Sequence, residues 1–402
     1  MITRRTALRG GVAATLAAAA FARARAATPG VTTTEVKIGN TMPYSGPASA
    51  YASIGKADDA YFKMVNEQGG IAGHKINFDS LDDAYSPPKT VEDVRRLIEQ
   101  DQVDFLFNTL GTPSNSAIQR YCNQHKVPQL FVATGASKWN DPEKFPWTMG
   151  WQPSYRTEAQ IYTKYLMQEK PSAKLAILYQ NDDFGKDYYI GVKDVLGDKF
   201  NAVVVKSVTY EVTDPTIDSQ VTECQSSGAD AILVAATPKF AAQAIRKIHD
   251  LNWKPVFFMT NVSISVGTVI NPAGPENAAG MITTQYLKDP TDPAWENDAG
   301  MKEFKAFMAK YMPGADVKDS GYIYGYSVTA TMKHVLDQCN GDFSRENVMK
   351  QAASIQNLTL GTLLPGIVIS TTPKDYRPIR AMQLARWTGS QWQLFGGVIE
   401  GV

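Results

Sequence analysis

The chain is poor in the residues that do chemistry. Its 402 residues include three cysteines and four histidines. Cys122, Cys224 and Cys339 are far apart, odd in number and without CxxC or metal-ligand spacing, which excludes a disulfide scaffold and a locally encoded zinc site. Two of them could pair in an oxidising compartment. The helical patterns around Cys122 and Cys224 favour buried thiols, since a free cysteine behaves as a small hydrophobe. His74, His125, His249 and His334 are scattered at turns and helix ends. No GxSxG, Walker loop, GxGxxG or HExxH motif occurs. Neither sign of charge dominates, with 40 basic and 40 acidic residues in all. The first 26 residues carry five arginines and no acid, so the remainder holds 35 basic against 40 acidic residues, about −5. Such a surface gives no reason to expect nucleic-acid binding. Beyond that opening segment there is no apolar run long enough to cross a membrane, no low-complexity linker and no tandem repeat. The expectation is a protein that is not an enzyme and uses no cofactor or metal.

What is present begins with an export signal over residues 1–26. A basic start precedes an Ala-rich apolar run from Gly11 to Phe21, and Ala24-Arg25-Ala26 offers a small-residue cleavage site near Ala26. Thr3-Arg4-Arg5-Thr6-Ala7-Leu8 resembles a twin-arginine (Tat) signal, and Arg23 and Arg25 suit that route better than Sec. The remaining chain is then expected in the periplasm. At 44% hydrophobic and 20% charged, it can build a large core, and its length predicts two domains.

Strand and helix patterns alternate along it. Glu35–Met42 reads as a strand, followed by the loop 43–52, whose Pro43 and Pro47 cannot stay in a sheet. Ile54, Ala57, Tyr61, Met64 and Val65 mark a helical face, and Gly69-Gly70 ends it. Further strands are expected at Lys75–Leu81, Asp104–Phe107 and Gln129–Ala133, with a helix over Pro88–Asp101. This regular alternation predicts a doubly wound parallel sheet, so the loops at 43–52, 109–114 and 133–138 leave one edge. Around Phe145–Tyr155 two prolines and two tryptophans break the pattern, which reads as a crossing to a second lobe. There a second series runs through Ala173–Tyr179, Ala202–Thr209, a helix opened by Asp214-Pro215, Ala231–Ala235, a helix from Thr237-Pro238, and Val256–Met259. Met281–Tyr286 reads as a strand leading back to the first lobe. Helices follow at Trp295–Tyr311, Ser320–Asp337 and Ser344–Ser354, then terminal strands at Ile367–Ser370, Arg380–Trp387 and Gln391–Val398. Asp82-Asp83 invites an acid/base reading, although adjacent carboxylates after a strand more often face water or cap a helix.

Several of these segments carry a resemblance. Ser45-Gly46-Pro47 with Tyr51, NEQGGIAGHKI from Asn66 to Ile76, DDAYSP from Asp82 to Pro87, the loop 108–116, and Asn181-Asp182-Asp183-Phe184-Gly185 stand in the order found in the periplasmic solute-binding proteins of ABC transporters. Within these the chain is similar to the branched-chain amino-acid (leucine-binding) type. The resemblance covers nearly all of the chain after residue 26. It implies a type I periplasmic binding fold: α/β, with two doubly wound, Rossmann-like lobes, mainly parallel sheets and a multi-strand hinge. Lobe one is expected to hold 32–149 with 284–361, and lobe two 150–283 with 362–402.

In relatives that bind aliphatic amino acids, a Ser and a Thr hold the ligand carboxylate. These positions fall on Thr112, which keeps a hydroxyl, and Ala136, which does not, although Thr134 and Ser137 lie beside it. Gly111 and Gly135 belong to the same two loops. The family's covering aromatics fall on Tyr51 and Phe184, and a further family Tyr falls on Thr237. At Asn261 the amino-acid binders carry a Glu that pairs with the ligand ammonium. An amide cannot supply that charge, and an ammonium buried without a partner is costly. An aromatic or other apolar carboxylate, such as a hydroxybenzoate-like or phenylpropenoid acid, is therefore expected in preference to an α-amino acid. Trp151, Tyr322 and Tyr324 are available as aromatic walls or as core, and Arg156 or a nest of backbone amides could hold the carboxylate. The expected role is capture of a small solute between closing lobes by a monomer, and delivery to an inner-membrane permease and ATPase. Alternatives are branched-chain amino-acid, amide or urea binding, or a ligand sensor of the same fold.

Overall fold

The structure is a computed structural model and describes residues 28–401. The export segment and its cleavage point lie outside the described residues. Strands β1 (Glu35–Met42), β2 (Lys75–Asp82), β3 (Phe105–Phe107), β4 (Gln129–Val132) and β5 (Thr148–Gly150) form an all-parallel sheet in the order β2-β1-β3-β4-β5. The second sheet takes β6 (Leu175–Gln180), β7 (Val204–Tyr210), β8 (Ala231–Ala235), β9 (Val256–Met259), β10 (Ile282–Gln285), β11 (Ala381–Trp387) and β12 (Trp392–Glu400). Its order is β12-β11-β10-β9-β8-β6-β7, parallel from β7 to β10 and antiparallel through β11 and β12. The chain is thus α/β, with mainly parallel sheets in two lobes.

Burial explains which runs became which strands. Phe105-Leu106-Phe107 and Ala231–Ala235 are continuous apolar segments buried throughout, as central parallel strands covered on both faces must be. The edge strand β7 instead alternates half-buried and exposed residues along VVKSVT. Helix Pro238–Asp250 opens on Pro238, where a missing N–H costs nothing, and buries Phe240, Ala241, Ala244, Ile245 and Ile248 along one face. Late helices return to the first sheet. Tyr61, on helix Ala52–Glu67, meets the rings of Phe307 and Tyr326 at 5.9 and 5.1 Å. Near the lobe boundary, Tyr286–Lys288 runs beside Thr362–Leu364, with Lys288 N–H donating to Thr362 O and Leu364 N–H to Tyr286 O.

Several local readings change. Within Phe145–Tyr155 lies a true strand, β5, at the edge of the first sheet; its brevity hid it between prolines. Met281–Tyr286 forms β10 inside the second sheet, beside β9 and β11. Asp214 does not open a helix: its carboxylate accepts Glu211 N–H at 2.8 Å in a turn, and the helix starts at Asp218. Ile367–Ser370 makes only an isolated bridge, between Ile369 and Leu358. All three cysteines are free and buried. Among the described residues no helix is long and apolar enough to cross a membrane.

Candidate ligand-binding site

Loops after β1, β2, β3 and β4 meet loops after β6, β8 and β9 across a cleft, as the carboxyl ends of parallel strands should. The cleft holds a cavity of about 120 Å³. A water needs roughly 10–15 Å³ of such space, so the cavity has room for about ten non-hydrogen atoms. Its walls are mainly apolar and aromatic, with Tyr85, Tyr155, Phe184, Tyr286 and Tyr324 among the rings.

One wall is a relay of hydroxyls. Thr112 and Thr134 are buried with their oxygens 2.6 Å apart. Thr134 Oγ1 also accepts from Ala136 N–H and Trp139 Nε1–H, both at 3.3 Å. Either hydroxyl of the pair can donate to the other; with Thr134, which already accepts twice, as the donor, the Thr112 proton is left for the cavity. Thr112 also begins helix Thr112–Gln124, whose first-turn N–H groups lack intrahelical partners and favour an anion. Gly111 precedes it at φ 100°, and a Cβ there would come within 2.6 Å of the Tyr85 ring. Glycine thus admits the ring to this corner.

Tyr85 is a site residue that the sequence did not reveal, and Asp82-Asp83 explains it. Ala84 and Tyr85 are both left-handed, at φ 52° and 60°, a pair of conformations that costs free energy. Asp82 Oδ1 accepts Ala84 N–H at 3.0 Å and Asp83 Oδ1 accepts Tyr85 N–H at 2.9 Å. The two carboxylates therefore hold a strained turn that delivers Tyr85 to the cavity. Burial raises the Asp83 carboxyl above its ordinary value, and hydrogen bonds from Thr90, Tyr85 N–H and Ser114 work against that.

The facing wall comes from lobe two. Phe184 packs edge-on against Tyr155 at 4.9 Å. Thr237 is fixed by Tyr210, whose hydroxyl accepts its N–H at 2.9 Å. Asn261 lines the cavity while its backbone N–H donates to Glu158 Oε1 at 2.8 Å. Glu158 is fully buried; it also accepts from the hydroxyls of Tyr162, Tyr188 and Thr284. Burial pushes its carboxyl up to about 7 despite these donors. Oε1 takes three of these donors and Oε2 one, and Glu158 lies behind Asn261 rather than in the cavity lining.

Of the residues singled out from sequence, Tyr51, Gly111, Thr112, Thr134, Phe184, Thr237 and Asn261 line one cavity, whereas Gly135, Ala136, Trp151, Arg156 and Tyr322 do not. Gly135 serves packing: a Cβ there would lie 2.4 Å from Pro153 O and 2.9 Å from the Tyr155 ring. Ala136 is buried behind Thr134. Trp151 is buried too, donating Nε1–H to Thr331 Oγ1 at 3.0 Å and backing the Tyr324 and Tyr286 rings. Tyr322, on the same helix as the lining residues Ile323 and Tyr324, is half-buried outside the cavity. Arg156 is spent at the surface in a two-pronged ion pair with Asp194, at 2.5 and 2.8 Å.

The lobes touch on several sides of the cavity. Tyr51 Oη lies 3.4 Å from Ser263 Oγ, and Gln180 Nε2 donates to Tyr85 Oη at 3.4 Å. Asp187 accepts both the N–H and the hydroxyl of Ser137, and Lys138 pairs with Asp183 at 3.0 Å. Elsewhere on the cleft, Gly267 N–H donates to Lys318 O at 2.9 Å. This is a closed arrangement.

Known proteins share this build. A family profile described as periplasmic binding protein matches residues 35–391. A Leu/Ile/Val-binding protein homolog 1 from Brucella abortus (strain 2308) is 23% identical over 285 residues, 66% of this chain and 74% of its own. The Leu/Ile/Val-binding protein of Escherichia coli (strain K12) is 23% identical over 263 residues, 62% of this chain and 67% of its own. Among solved structures, a branched-chain amino-acid ABC transporter protein from Thermus thermophilus with bound valine superposes with TM-score 0.82 at 15% identity, over 92% of this chain and 98% of its own. A fatty acid ABC transporter substrate-binding protein from Thermomonospora curvata reaches TM-score 0.76 at 21% identity, over 93% and 94%.

Proposed function

The chain belongs to the periplasmic binding protein family, and from that premise we propose that it is the substrate-binding component of an ABC importer, exported to the periplasm. It captures a small apolar carboxylate, aromatic acids in preference to α-amino acids, and passes it to a permease and ATPase in the inner membrane. The carboxylate lies against Thr112 Oγ1–H and the first turn of helix Thr112–Gln124, a neutral-donor equivalent of a charged clamp. Tyr85, Tyr155, Phe184, Tyr286 and Tyr324 enclose its apolar body.

The observation that carries the preference is the pair Asn261 and Glu158. An α-amino acid brings an ammonium, which must meet a carboxylate once desolvated. Asn261 has none to give, and Glu158 behind it is outside the cavity lining and engaged by four donors. Two acids in the cavity wall, Asp289 and Asp319, each turn Oδ1 onto a neighbouring turn of backbone, at Thr291 and Gly321. Branched-chain amino-acid binding is the second reading, favoured by the names of the relatives and by the valine bound in the Thermus thermophilus protein.

Thermal-shift titration with 4-hydroxybenzoate, cinnamate, octanoate, leucine, valine and urea separates the readings. A ligand that binds only the folded state raises the apparent stability by RT ln(1 + [L]/Kd). The acids should raise Tm in a concentration-dependent way and leucine should not. Stabilisation by leucine with none by the acids would refute the proposal.

A further inference from the structure

Two polar atoms in the cavity wall are buried without a partner. Among the described residues, the buried side-chain oxygens and nitrogens without a hydrogen bond include Asn261 Oδ1 and Tyr324 Oη, and of those residues only Asn261 and Tyr324 line the cavity. They come from opposite lobes, Asn261 after β9 and Tyr324 from helix Ser320–Gln338. Tyr324 is 8% exposed, its ring held edge-to-face on Trp151 at 5.1 Å. The Asn261 amide has its nitrogen toward Met382 Sδ at 3.9 Å, a weak acceptor, which leaves the oxygen as the unused end. A closed site that buries an acceptor and a hydroxyl unpaired loses stability unless the ligand completes them.

Resting on the carboxylate reading above, we propose that the ligand carries a second, neutral polar group, a hydroxyl that donates to Asn261 Oδ1, and that Tyr324 Oη completes this second polar subsite. Tyr324 and Asn261 then act as specificity-determining residues, and the recognised class narrows from apolar carboxylates to hydroxylated ones. The chemistry of the two atoms sets this choice. Asn261 Oδ1 can only accept, so an ether, ester or second carboxylate oxygen does not serve it, while a hydroxyl does. Tyr324 Oη can donate or accept, and so tolerates either a lone pair or a proton on the ligand. A site built to hydrogen-bond a ligand hydroxyl discriminates against the analogue lacking it because its own polar groups are then left unpaired. Once the lobes close, each group becomes buried, which makes the hydroxyl part of the drive for closure as well as a label for recognition.

The test is calorimetric titration of the full exported chain with benzoate, 3- and 4-hydroxybenzoate, 4-methoxybenzoate, cinnamate and 4-hydroxycinnamate. In the wild type at least one hydroxy acid should bind about tenfold more tightly than its parent and its methoxy analogue. Tyr324→Phe keeps the ring packing, and Asn261→Leu keeps the backbone bond to Glu158. Each should reduce the hydroxyl-to-parent ratio to within about twofold of unity. Equal binding of every parent and hydroxy acid by the wild type, or a ratio that survives both substitutions, overturns the hydroxyl pairing and leaves the carboxylate reading standing. Binding of leucine with none of the acids overturns both.

Discussion

Glu158→Gln offers the sharpest physical test, because it changes one buried charge and little else. Glu158 joins helix Tyr155–Glu169 to the end of β9 and to β10 through Asn261 N–H and the Thr284 hydroxyl, and to helix Asp183–Leu196 through the Tyr188 hydroxyl, while Tyr162 donates to it from its own helix. Burial is the largest influence on its carboxyl, which rises from 4.5 to about 7 while the four donors pull the other way. A group whose folded pKa is raised binds its proton more tightly in the folded state. Its stabilising contribution is complete below pH 4.5 and is lost as the pH rises through about 7. A displacement of that size corresponds to about 3 kcal/mol of folding free energy. Glutamine has the same shape and does not titrate. Its carbonyl can replace the oxygen that accepts from Asn261, and its amide can donate to Tyr188, which in turn lies 2.5 Å from Thr260 Oγ1. Urea denaturation of both proteins from pH 4.5 to pH 8 should therefore show the wild type losing about 3 kcal/mol relative to the variant. Other buried acids, such as Asp58 and Asp187, are common to both proteins and cancel in the difference. Stability curves that stay parallel across this range would refute the account of Glu158 as a buried carboxyl that resists ionisation.

Two further outcomes follow from the lobe contacts and the surface. Gly267→Val places a Cβ 3.1 Å from Asp319 N and 3.2 Å from Lys318 O, backbone atoms of the opposite lobe. The lobes relieve the clash by parting, so ligand affinity should fall about tenfold or more while small-angle scattering shows a more open particle; unchanged affinity would argue against this contact as part of closure. Arg156→Ala removes a guanidinium that is 45% exposed and paired only at the surface, so calorimetry should find ligand affinity unchanged and stability lowered by less than about 1 kcal/mol.

The residues that announced themselves in sequence are those whose roles depend on local pattern. The parallel strands were legible from short apolar runs such as Phe105-Leu106-Phe107 and from regular alternation with helical periodicity. The loops at strand ends followed directly, while Thr112, Phe184, Thr237 and Asn261 were picked out by the resemblance to the leucine-binding type. Tyr85 was hidden because its place depends on two consecutive left-handed residues, a conformation that Ala84 and Tyr85 do not advertise and that Asp82 and Asp83 impose. Glu158 was hidden for a related reason. On a helix it resembles any surface glutamate, and only packing against β9 and β10 reveals that it is buried. Arg156 shows the converse error: a cation near a cleft in sequence is free to find a nearer anion, and Asp194, across a helix–helix contact, is that anion.

Sequence alone thus determined the two-lobed α/β plan, because hydrophobic period and loop chemistry are local properties that survive without knowledge of the neighbours. It also determined that Asn261 cannot offer a charge. Tertiary structure decided which hydroxyls remain free, which carboxylates are already engaged and which aromatic rings reach the cavity. Those are questions of who occupies each lone pair and each contact, and they are settled between residues as far apart in the chain as Asn261 and Glu158, or Gly267 and Lys318. A single residue's chemistry says what it can bind, but the residues packed around it decide whether that capacity is left over for a ligand.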